Sequence, residues 1–63
     1  MTTKKADEMI ERLELRAIDC GYPIEENKYY MALCYAVSSR DEIDNDFVMT
    51  QYKLILRSIK EYE

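Results

Sequence analysis

The stretch Ile43-Asp44-Asn45-Asp46-Phe47-Val48-Met49-Thr50-Gln51-Tyr52-Lys53-Leu54-Ile55-Leu56-Arg57-Ser58-Ile59-Lys60-Glu61-Tyr62 decides how this chain folds. Its apolar residues do not alternate with period two, as a half-buried strand would require, but recur at steps of three and four. On a helical wheel they fall on two sides. Ile43, Phe47 and Leu54 form one stripe, and Val48, Tyr52, Ile55, Ile59 and Tyr62 form the other. The preceding stretch shows the same doubling, with Ile24, Met31 and Tyr35 on one side and Tyr29, Leu33, Ala36 and Val37 on the other. A surface helix of a monomer needs only one apolar stripe. Two stripes on two helices therefore predict a second copy or a partner, with Tyr29, Leu33, Tyr52, Ile55 and Ile59 as the expected dimer interface.

Working outward, the only glycine and the only proline fall together in Cys20-Gly21-Tyr22-Pro23. Gly21 suits the left-handed residue that closes a helix, and Pro23 suits the first turn of the next. Upstream, Ala6, Met9, Ile10, Leu13, Ala17 and Cys20 make one coherent stripe, which Thr2 or Thr3 can cap. Glu25 and Glu26 lie where the positive end of a second helix favours anions. Ser39-Arg40-Asp41-Glu42 reads as a capping box, with Ser39 as N-cap and Glu42 three residues on. The expectation is an all-α, three-helix fold in one domain spanning 1–63, with helices at about 3–20, 24–38 and 40–62, paired into a homodimeric helical bundle. No internal repeat, linker or low-complexity segment interrupts it.

A chain of 63 residues buries only about 60% of its unfolded surface, so small domains lean on disulfides, metals or association. The only cysteines, Cys20 and Cys34, sit on apolar stripes outside any C-x-x-C spacing, and are expected to be buried and reduced. Histidine is absent, which leaves no common zinc-ligand set, and no cofactor is expected. The longest apolar run, Tyr29 to Val37, falls far short of the ~20 residues of a membrane span. The charged start Met1-Thr2-Thr3-Lys4-Lys5-Ala6-Asp7-Glu8 has no secretory pattern, so the expected location is cytoplasmic. A net charge of −4 argues against sequence-independent binding to nucleic acid or anionic lipid.

Few constellations carry chemistry. Asp41, Glu42, Asp44 and Asp46 lack the central glycine of a calcium loop and read as acids in the first turns of the third helix. They have no companion nucleophile, histidine or phosphate-cradling loop, so an enzyme is not expected. Lys53, Arg57 and Lys60 line up near the end of the third helix, where cations complement its dipole. On the first helix, Leu15 stands outside the core stripe among Glu8, Glu11, Arg12 and Asp19. An apolar side chain inside a charged rim is the form of a partner-binding hot spot. The six tyrosines suit half-wet contact surfaces, because the ring buries while the hydroxyl stays hydrogen-bonded.

Gly21 with Ile24, then Tyr29-Tyr30-Met31-Ala32-Leu33, then Asp41, then Asp46-Phe47-Val48 with Leu54-Ile55-Leu56-Arg57, together resemble the small enterobacterial connector proteins of the biofilm and acid-resistance family. Lys60-Glu61-Tyr62-Glu63 replaces that family's usual acidic dipeptide, and the stretch before Asp41 is one residue short. The resemblance implies a helical dimer that regulates by binding other proteins. The residues themselves lead to the same expectation: a small non-catalytic regulator or inhibitor, of a kind frequent among phage and mobile-element products, whose partners are itself and another protein. Two other readings stay open. One is an acidic nucleic-acid mimic that blocks a DNA-binding protein, and the other is a nucleic-acid-binding regulator using Lys53, Arg57 and Lys60.

Overall fold

The computed structural model describes residues 1–63 and contains three α-helices, with no strands. These are α1 (Thr3–Cys20), α2 (Lys28–Ser38) and α3 (Asn45–Tyr62), with a 3-10 turn at Ile24–Glu26 between the first two. The Thr2 hydroxyl accepts the Lys5 amide at 3.3 Å and starts α1. Gly21, at φ 75°, ends it. There the Gly21 and Tyr22 amides donate to the Ile18 and Ala17 carbonyls at 3.2 and 2.8 Å. That pair of bonds is the Schellman closure, and it needs a left-handed residue at this point.

The second helix starts later than the expected 24. Pro23 initiates a 3-10 turn, and Asn27 then caps α2, its side-chain oxygen accepting the Tyr29 and Tyr30 amides at 2.8 and 3.1 Å. The other half of the Asn27 amide donates to the Tyr22 hydroxyl at 2.8 Å. Asn27 is the one buried polar residue, and these bonds satisfy it.

The third helix also starts later than expected, at Asn45 rather than 40. Ser39 is not its N-cap. It closes α2, with its hydroxyl donating back to the Ala36 carbonyl at 3.3 Å. Asp44 is the cap of α3 and accepts the Asp46 amide at 3.3 Å. Between them Asp41 and Glu42 lie in a connector rather than in a first helical turn, and Glu42 forms an isolated antiparallel bridge with Thr2. Ile43 completes the pairing by donating its amide to the Met1 carbonyl and accepting from the Met1 nitrogen, both at 3.0 Å.

The core draws Ala6, Ile10, Leu13 and Ala17 from α1, Leu33 and Val37 from α2, and Val48, Ile55 and Ile59 from α3. The connectors add Ile24 and Ile43. Three of the five residues expected at a dimer interface lie inside this core. Leu33, Ile55 and Ile59 are each 0% exposed within one chain, and Tyr29 and Tyr52 pack half-buried against the same core. The surface of 4400 Å² is close to the roughly 4,300 Å² expected of a compact monomer of this mass. One chain thus covers most of the apolar stripes by itself.

Candidate protein-interaction face

Each helix leaves an outward side, and that of α1 sets two aliphatic residues among charged ones. Residues 8, 11 and 15, with 18 and 19 three and four beyond 15, follow helical steps, so they share the side of α1 turned away from Ala6, Ile10, Leu13 and Ala17. Leu15 is 59% exposed and Ile18 is 74% exposed. Glu8, Glu11 and Asp19 are exposed around them, and Arg12 borders the group. The sequence pointed to Leu15 and its acids but missed Ile18, the more exposed of the two. Its signal was present: Ile18 lies three residues beyond Leu15 and off the core stripe. Two adjacent aliphatic side chains offer a partner more than one exposed leucine does.

The seam between α1 and α2 is polar and closed. The Tyr30 hydroxyl donates to the Glu14 carboxylate across it. That bond, followed by burial, raises the Tyr30 pKa well above the ordinary tyrosine range. Burial raises the pKa of the neighbouring Cys34 thiol, as do the Glu14 and Asp7 carboxylates, while the Tyr30 hydrogen bond opposes them. Cys34 is therefore a protonated and sluggish nucleophile. Cys20 donates to the Ala17 carbonyl at 3.6 Å. Both cysteines are free and half-buried rather than fully buried, and no three His, Cys, Asp or Glu side chains converge as a metal cage.

Two surface depressions mark α3. Lys53, Leu56, Arg57, Lys60 and Glu61 border one, but all belong to a single helix, which cannot enclose a ligand. The other is a shallow groove where Tyr29 of α2 meets Leu54, Ser58, Arg57 and Glu61. The basic line is where its spacing placed it, and Arg57 already pairs with Glu61 at 3.2 Å. Most tyrosines are used within the chain. Tyr22 meets Tyr62 edge-on with centroids 5.3 Å apart, Lys28 lies 5.2 Å from the Tyr29 ring centre, and Tyr30 and Tyr52 pack against the core. Tyr35 makes no such contact and stands exposed.

No helix is long and apolar enough to cross a membrane. Comparison with protein-family models, with curated proteins and with solved structures gives no match.

Proposed function

We propose that this chain is a non-catalytic regulator or inhibitor that acts by binding another protein, and that it works as one of a pair of identical copies. The observation that carries the reading is the exposed Leu15–Ile18 pair on α1. Aliphatic side chains ringed by charge form a small desolvating centre with a polar rim, the arrangement that concentrates binding energy in a few residues. The acids Glu8, Glu11 and Asp19 fit a partner whose apolar pocket is edged by cations, which would speed encounter and fix orientation. The connector-protein resemblance supports the same reading by analogy.

The test is capture from host lysate with tagged protein, read by mass spectrometry, beside Leu15→Arg and Ile18→Arg. The reading expects both variants to keep wild-type helicity and to lose the captured protein. Capture should also survive high salt, since an apolar contact is little screened, whereas a nucleic-acid mimic held by its carboxylates would release its target steeply. Undiminished capture by both variants would overturn the assignment of the face.

A further inference from the structure

Thirteen acids outnumber nine cations in this chain, yet two helical stripes hold cations and no acid. Steps of four, three and four join Lys5, Met9, Arg12 and Arg16 on α1, and the same steps join Met49, Lys53, Leu56 and Lys60 on α3. The five cations are exposed and none is in a salt bridge, the one such pair being Arg57–Glu61. Met9, Met49 and Leu56 are half-buried.

Packing sets the two stripes side by side. Glu14 reaches Tyr30 of α2. Arg12 and Arg16, two residues before and after it, lie about 160° around the helix, past the core stripe, and so flank α3. On α3, Leu54 and Ser58 meet Tyr29 of α2, which turns Leu56 between them to the opposite flank, toward α1. The helices run in the same direction, because Met1 pairs with Ile43 at one end and the Tyr22 ring meets Tyr62 at the other. Between these contacts Arg12 falls level with Lys53. The result is a trough with an aliphatic floor and a line of cations along each wall. Acids stand outside it: Glu8 and Asp19 on the outer side of α1, Asp46 and Glu63 toward the two ends, and Glu61 held by Arg57.

We propose that the trough between α1 and α3 docks an acidic amphipathic helix of another protein, its apolar side on Met9, Met49 and Leu56 and its carboxylates along both lines of cations. A groove between two parallel helices is the shape into which a third helix packs. Methionine suits such a floor because its unbranched side chain adapts to what covers it. Charge complementarity selects an acidic occupant and fixes its orientation. A nucleic acid would bury nothing on this floor, and the other acids of a chain with net charge −4 would repel its phosphates. The trough lies apart from the Leu15–Ile18 face and does not depend on it.

Fluorescence anisotropy tests the trough with a labelled synthetic helix of about five turns, carrying leucine at steps of three and four and glutamate on both flanks. The comparison probes are its scrambled sequence, the same helix with lysine for glutamate, and a short DNA duplex. The acidic helix should bind saturably below about 1 mM, and each comparison probe at least about tenfold more weakly, one decade of affinity. R12E/K53E should weaken binding about tenfold, the scale of two exposed ion pairs reversed, with helicity unchanged, and R16E/K60E should do the same. K4E/R40E changes the net charge equally outside the trough and should leave binding within about twofold. No saturable binding overturns the proposal, as does equal binding of the scrambled probe or tighter binding of the duplex. Equal loss in K4E/R40E would reduce the effect to net charge and overturn the site. A self-paired chain that R12E/K53E splits in sedimentation would assign the trough to a second copy and overturn it too. None of these outcomes bears on capture through Leu15 and Ile18.

Discussion

The Tyr30 hydroxyl donates to the Glu14 carboxylate across the α1–α2 seam, and this contact makes stability depend on pH in one direction. The folded state raises the Tyr30 pKa above its ordinary 10.0, chiefly through Glu14. The folded chain then holds the proton more tightly than the unfolded chain does, so the contribution is intact below the unfolded pKa and declines as pH rises past it. The raised Cys34 pKa acts in the same direction. Urea midpoints measured from neutral pH to about pH 11 should fall on the alkaline side, and less steeply in Tyr30→Phe. Equal slopes would show that the seam is not titrating. None of this was legible in the sequence, where Tyr30 was one tyrosine among six. Glu14 lies sixteen residues away, a separation that helical spacing does not connect. Gly21 was legible, because a lone glycine ending an apolar stripe meets a local requirement, a positive φ.

Among the elements, α1 could be read almost completely, whereas the starts of α2 and α3 could not. Periodicity carried α2 back to Ile24 and the capping-box pattern carried α3 back to residue 40, past Ile43; both isoleucines are apolar, buried and in phase. These two residues instead plug the core from connectors, and Asn27 and Asp44 begin the helices after them. Asparagine and aspartate bind nearby amides so readily that they compete with continued helix, a local effect that apolar spacing does not register. With Ile24 and Ile43 removed from the wheels, the second stripes shrink to Met31 and Tyr35 on α2 and to Phe47 and Leu54 on α3. The cap assignments differ in what they predict. Asp44→Ala should cost about 1 kcal/mol, the usual size for a lost N-cap. Ser39→Ala removes one exposed bond and should stay within about 0.5 kcal/mol. Thermal or urea unfolding of the two variants decides between the caps, and the reverse order would move the start of α3 back to residue 40.

At the scale of the whole molecule, three helices and two connectors bury eleven apolar residues in a body of 33 × 16 × 16 Å. The hydrogen bonds between Met1 and Ile43 join positions 42 residues apart in the chain, and this separation has a kinetic side. Closing so long a loop costs about 3 kcal/mol of chain entropy, which these two hydrogen bonds do not offset before α1 and α2 have met. Folding should therefore pass its barrier with this clasp still open, and the clasp should act as a brake on unfolding alone. Glu42→Gly loosens the connector without entering any helix, so stopped-flow traces should show faster unfolding with an unchanged folding limb. A slower folding limb would mean that the clasp closes early. Late closure makes the first and forty-third residues a lock fastened after assembly, so the helix bundle can form without it and is held longer once it shuts.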